Sequence, residues 1–193
     1  MKKISILILL IFISFSSKKE DYKKEICALR NKASKGYNTK YGILIDYSKS
    51  SGLKRGFIID LNKNVTIYSF LVMNGKGFSN KIGSNKTSLG FTYTHRRGHS
   101  NYGNSIKYTL IGISSSNFNT YKRNIVLHSY KGFLNIEIYP LPIIKSKGCP
   151  TIPITSFEKI DSLIKRQKNK KILIYSFKKW EKNIKKEVLN MIK

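Results

Sequence analysis

Two cysteines and three histidines are available for chemistry in this chain, and one pairing of them has the setting of a reactive site. Cys149 lies in IKSKGCPTIP (144–153), preceded by Lys145, Ser146, Lys147 and Gly148 and followed by Pro150. A structural cysteine usually sits in an apolar run and packs as a small hydrophobe. Cys149 instead occupies a polar, cationic turn, the setting in which a thiol becomes a thiolate. Lys145 and Lys147 are read as the charges that favour the anion. His128 closes the apolar run NIVLH and meets a turn at SYKG, so a sheet would position the imidazole beside a cleft. One strand and a turn separate the two residues, which lets them meet across a hairpin-like return. Cys/His pairing is a general route to a nucleophilic sulfur. Gly148 gives the sulfur an open approach and lets local amides face a developing oxyanion, and Pro150 fixes the chain behind it. No Asp or Glu lies nearby to orient His128. That third partner is a backbone carbonyl, a hydroxyl such as Ser129 or Ser146, or a distant residue.

The other reactive side chains read differently. Cys27 falls in KKEICALRNKA, where Ile26, Leu29 and Ala33 follow a helical period. It is expected to pack on an apolar helix face, inert, although an oxidising compartment would permit a disulfide to Cys149. His95 and His99 have a spacing that suits zinc only on a helix, and THRRGHS reads as a solvated loop, so no metal site is expected. Between Asp60 and Glu137 the chain has no acid at all. Glycosidases need two carboxylates and calcium or magnesium sites several, which excludes both classes.

These residues need a scaffold. The chain's 193 residues suffice for one domain. Its net charge of +27 attracts polyanions in general. The lysines are spread rather than clustered, and neither an RNA-recognition signature nor zinc-finger spacing is present, so no specific nucleic-acid partner is expected. Residues 1–17 read as a signal peptide: Lys2 and Lys3, then an apolar run from Ile4 to Phe15. That run is shorter than the roughly 20 residues of a membrane span, with an uncleaved interfacial anchor as the alternative. The mature protein is thus expected outside the cytoplasm, in periplasm or cell wall, as a monomer without a transmembrane span.

Residues 18–40 form an N-terminal helical segment, with one helix from Tyr22 to Lys35 ended by Gly36. From Tyr41 the pattern turns to short β-branched and aromatic runs: YGILIDY, RGFIIDL, VTIYSFLVM, LGFTYT, IKYTLIGI, NIVLH and NIEIY (135–139). SFEKIDSLIKRQ (156–167) returns to a helical period with Ser156 as its cap, and KILIYSF (171–177) is a last strand. The expected class is mostly β, a sandwich or barrel-like sheet, over residues 41–177. Residues 178–193 make a basic helical tail.

IVLHS (125–129) followed by SKGCP (146–150) resembles the H-G…S-x-G-C signature of the YkuD-type L,D-transpeptidases, in the branch that carries G-C-P. FSNKIGSNKTSLGFTYT (78–94) and RGFIIDLNKN (55–64) resemble further family segments, and the likeness covers about residues 25–177. The chain departs from the pattern at Ser129, where a glycine usually follows the histidine, and at Asn74–Gly75, where the branch often has His-Gly. Lys145 replaces an arginine, and Thr151 stands where the broader family has one. The resemblance implies an exported enzyme that acts on peptidoglycan stem peptides without a cofactor. In that reading Cys149 is nucleophile, His128 base, Gly148, Ser146 and Ser129 support the oxyanion, and Lys147, Lys145 and Asn74 contact substrate or tune the thiol. Stem acyl groups pass to an amine or to water. A wall-binding protein of the same fold with impaired turnover is the alternative.

Overall fold

The structure is a computed structural model that describes residues 22–179. The expected signal peptide and nearly all of the expected helical tail lie outside the described residues. Ten elements follow in order: α1 (Lys23–Ala33), β1 (Tyr41–Asp46), β2 (Gly56–Asp60), β3 (Val65–Phe70), β4 (Gly90–His99), β5 (Ile106–Gly112), β6 (Val126–Ser129), β7 (Thr151–Ile152), α2 (Ile154–Lys165) and β8 (Leu173–Phe177). The mostly β class stands, with one helix before the sheet and one ahead of its last strand.

The strands form one sheet in the order β3-β2-β1-β8-β4-β5-β6-β7. Its two ends approach each other: beyond β3, the Met73 amide donates to the Thr151 carbonyl of β7 at 2.8 Å, an antiparallel bridge between the sheet's extremes. The result is a nearly closed barrel. Alternation along the strands sorts side chains to two faces. Ile43, Ile45, Ile58 and Ile174 turn inward with Phe157, Ile160 and Ile164 of α2. Leu44, Phe57, Ile59 and Leu173 turn outward and are covered by Ile26, Leu29 and Ala33 of α1. Gly42 allows this close docking, since a Cβ there would stand 2.5 Å from Leu29 Cδ2. α2 is fastened to β4 and β5 through Asp161, which accepts from Arg97 Nε at 2.8 Å and Tyr108 Oη at 2.6 Å. Lys165 Nζ lies 2.9 Å from its other oxygen. Among the described residues no helix is long and apolar enough to cross a membrane.

Four local expectations fail, each for a physical reason. Cys27 is exposed rather than packed: Ile26, Leu29 and Ala33 carry the docking stripe, and position 27 falls on its solvent side. THRRGHS is the far half of β4, not a loop; it pairs with β5 across a register shift between Thr94 and Arg97. NIEIY is not a strand, because its backbone finds only scattered partners such as Gly52. Ser156 is no cap: α2 starts two residues earlier, after Pro153, and the Ser156 hydroxyl, fully buried, meets Tyr68 Oη at 3.3 Å. The two-residue strand β7, adjoining Cys149, had no sequence signal at all.

Candidate active site

β6 and β7 run parallel, with His128 opposite Thr151 and Ser129 opposite Ile152. That short pairing carries the histidine and the end of the cysteine turn to one cleft of about 330 Å³, lined by His128, Cys149, Thr151, Ser146, Met73 and Tyr102, among others. Tyr102 covers the imidazole, ring centroids 5.5 Å apart.

The imidazole is held at both nitrogens. Nδ1 lies 2.9 Å from the Ser129 carbonyl oxygen, which can only accept, so Nδ1 carries the proton and Nε2 offers a lone pair. Nε2 lies 3.0 Å from Thr151 Oγ1, which therefore donates to it. Of the partners left open for His128, the backbone carbonyl is the one found. Burial lowers the His128 pKa, the Ser129 hydrogen bond opposes that effect, and Lys107 adds to it. The ring is therefore neutral at pH 7 and able to accept a proton.

The cysteine turn is built by Ser146. Its Oγ donates to the Cys149 carbonyl at 2.6 Å and accepts from the Gly148 amide at 3.2 Å. Gly148 has φ +113°, and a Cβ there would stand 2.9 Å from the Lys86 carbonyl oxygen. A non-glycine residue would be strained at this backbone conformation and crowded as well. Thr87 Oγ1 donates to the Gly148 carbonyl at 3.1 Å and accepts from the Gly75 amide at 2.9 Å, which joins three segments behind Cys149.

The thiol does not have the environment that its flanking lysines suggest. Burial raises the Cys149 pKa; a backbone hydrogen bond from Val126 and the charges of Arg123 and Lys107 only offset this in part. Lys145 and Lys147 line the cleft but are exposed, and solvent screens their charge. Arg123 was not singled out by the sequence reading. It clamps the 79–88 segment, donating to the Ser79 carbonyl at 2.7 Å and Ser88 Oγ at 2.6 Å. A signal existed: six arginines stand among thirty-one lysines, and where lysine is the default cation, arginine marks a need for a planar fork.

Two other expected positions, Ser129 and Asn74, do not line the cleft. The Ser129 hydroxyl is fully buried and donates to Asn104 Oδ1 at 2.9 Å, while accepting from the Asn104 amide at 3.1 Å; it fixes the turn that carries Tyr102. Asn74 is a strut. Its Oδ1 accepts from Arg55, its Nδ2 donates to the Gly75 carbonyl at 2.8 Å, and its own carbonyl accepts from the Ser146 amide at 2.9 Å. Arg55 is buried and also donates through Nε to the Val72 carbonyl at 3.0 Å. Among the described residues no three His, Cys, Asp or Glu side chains gather as a metal site.

A nearly closed barrel with a histidine and a cysteine in one cleft defines a class, and the comparison with known families agrees with it. The L,D-transpeptidase catalytic domain matches residues 15–175, and the chain belongs to that family, whose activity is directed at peptidoglycan. No curated protein matches the chain. Among solved structures it is similar to the helical cell shape determining protein Pgp2 from Campylobacter jejuni, at 18% identity and TM-score 0.49, over 75% of this chain and 50% of that one. It is also similar to an L,D-transpeptidase from Xylanimonas cellulosilytica, at 10% identity and TM-score 0.42, over 76% and 68%. The Ldtfm-avibactam carbamoyl enzyme matches at 9% identity and TM-score 0.46, over 73% and 50%. The chain thus spans about half the length of the first of these.

Proposed function

We propose that this chain is an exported cysteine acyltransferase that acts on peptidoglycan stem peptides. The observation that carries the reading is that His128, its Nδ1 proton fixed by the Ser129 carbonyl, lines the same cleft as Cys149. Burial keeps the thiol protonated and the imidazole uncharged, so the resting pair is neutral rather than an ion pair. Attack then requires general-base assistance. As the Cys149 sulfur adds to the carbonyl before a terminal D-alanine, His128 Nε2 takes the thiol proton. The Cys149 amide, without a hydrogen-bond partner among the described residues, is the donor for the oxyanion. Collapse breaks the peptide bond, His128 returns the proton to the leaving amine, and a thioester remains. An amine of a second stem, or water, then attacks the thioester, losing a proton to His128, and the thiolate leaves and is reprotonated. No cofactor enters.

Gly148 and Ser146 shape the turn, and Lys145 and Lys147, which line the cleft, would meet the carboxylates of a stem peptide. The apolar run at 4–15 supports export to the periplasm or wall. Intact mass after exposure to a carbapenem tests the reading: a covalent increase is expected, and it should vanish in Cys149→Ala. Release of D-alanine from a defined tetrapeptide stem, with or without an amine acceptor, separates exchange from hydrolysis. One observation favours the alternative of a wall-binding protein with impaired turnover: the hydrogen bond that Nε2 makes goes to Thr151, not to the sulfur. A chain that retains sacculi but never gains carbapenem mass would be that protein.

A further inference from the structure

The segment between β6 and the cysteine turn exposes most of its apolar side chains while Asn135 is half-buried. Asn135 faces the barrel, accepting from the Leu71 amide at 2.9 Å and donating to Tyr68 Oη at 3.1 Å. Glu137 is exposed, although its Oε1 accepts from the Lys54 amide at 2.7 Å. The intervening apolar residues point outward: Leu134 and Ile136 are 65% and 62% exposed, and beyond them Leu141 and Ile144 are 65% and 76% exposed. Scattered surface apolar residues need no explanation, but a contiguous run of large ones marks an interaction surface. The segment is pinned rather than loose, since the Ile138 amide donates to the Gly52 carbonyl at 2.9 Å and the Ile143 amide to Ser51 Oγ at 3.1 Å.

Charge narrows what the surface fits. Glu137 is the sole acid between residues 61 and 157, and its carboxylate is engaged by a backbone amide. Lys131, Lys145 and Lys147 are exposed around the same segment. Apolar side chains flanked by three exposed lysines against one glutamate carry a net positive charge, which matches an anionic lipid surface, where hydrocarbon takes the side chains and headgroups take the lysines. A charged wall polymer would satisfy the lysines but offers little hydrocarbon to bury the rest.

We infer that the 134–144 segment is a lipid-contacting edge that docks the barrel on an anionic membrane surface beside its cleft. The test reads the segment itself, because the overall charge and the residues outside 22–179 could also reach a membrane. Replacing the single tryptophan, Trp180→Phe, and adding Ile136→Trp gives the full chain one reporter on the segment; Leu134→Trp is a second, independent one. Vesicles of phosphatidylglycerol are expected to shift the reporter's emission to the blue, with quenching by bromo-acyl lipid. Zwitterionic phosphatidylcholine should need at least tenfold more lipid. Each surface lysine is worth about fivefold in lipid partition, so Lys131→Gln with Lys145→Gln should weaken the response about 25-fold. Unchanged emission at both positions while the protein sediments with vesicles would overturn the inference, as would equal response to the two lipids. A shift on purified sacculi but not on vesicles would also overturn it and assign the face to a wall polymer.

Discussion

Replacing Thr151 by valine removes one hydroxyl from the cleft and nearly nothing else. Thr151 is 2% exposed, its methyl stays in place, and its hydroxyl's other neighbour, the Cys149 carbonyl at 3.4 Å, is too distant to compete for the one proton that Nε2 accepts. In the resting structure Thr151 Oγ1 occupies the His128 Nε2 lone pair at 3.0 Å. In the proposed mechanism that lone pair must be released before it can take the thiol proton. A buried neutral hydrogen bond has a net worth of about 0.5–1.5 kcal/mol, so removing the competitor should speed carbapenem acylation of Cys149 by about 2- to 12-fold. The same bond stabilises neutral imidazole, so its loss should raise the His128 pKa. Wild-type acylation should form a plateau bounded by a histidine below its ordinary 6.5 and a thiol above its ordinary 9.0. In Thr151→Val the acid limb should move to higher pH, while Thr151→Ser should restore the wild-type limb. The assay is acylation by time-resolved intact mass between pH 5 and 10. A slowing of about 100-fold or more in the valine variant would refute the reasoning and make the hydroxyl a proton conduit. An unmoved acid limb would show that Thr151 does not donate to Nε2.

Cys149→Ala should abolish acylation and leave the melting temperature close to wild type, whereas His128→Ala should slow acylation by about 10²–10⁴-fold. Brief iodoacetamide treatment near neutral pH, followed by peptide mapping, should find Cys27 modified before Cys149: Cys27 is exposed and burial raises the Cys149 pKa. The Cys149 rate should climb with pH and stay unchanged in Lys147→Ala. Burial works against ionisation of Asp161, but hydrogen bonds from Arg97, Tyr108 and Lys165 prevail and hold its carboxyl at about 2, below the ordinary 3.8. A depressed folded-state value stabilises the fold above pH 3.8, and the gain is lost as pH falls towards 2. Arg97 and Lys165 are 41% and 55% exposed, so solvent screening reduces the contribution to about 1–2 kcal/mol. Asp161→Asn should cost that much in urea melts at pH 7 and flatten the acid dependence. Gly148→Ala forces a left-handed backbone and a Cβ 2.9 Å from a carbonyl, so it should destabilise by about 1–3 kcal/mol and depress acylation more than the melting temperature.

The strand runs and the helical stripe were legible in the sequence because they are periodic. Alternation in YGILIDY and RGFIIDL names residues that the barrel divides between its two faces, and Ile26, Leu29 and Ala33 mark the docking face of α1. The motif around His128 and Cys149 was legible too, since a turn cysteine between Gly148 and Pro150 has few structural uses. What local pattern could not supply is anything set by residues far apart in the chain. NIEIY alternates like a strand but has no edge to join, because Met73 already bridges Thr151 and brings the sheet's ends together. Asn74 and Ser129 stand at motif positions, yet their side chains answer Arg55 and Asn104, 19 and 25 residues away. Lys145 and Lys147 adjoin Cys149 in sequence but face water, while burial and the remote Arg123 and Lys107 act on the thiol. Sequence proximity does not fix electrostatic influence; desolvation and through-space distance do, and both exist only once the barrel has closed.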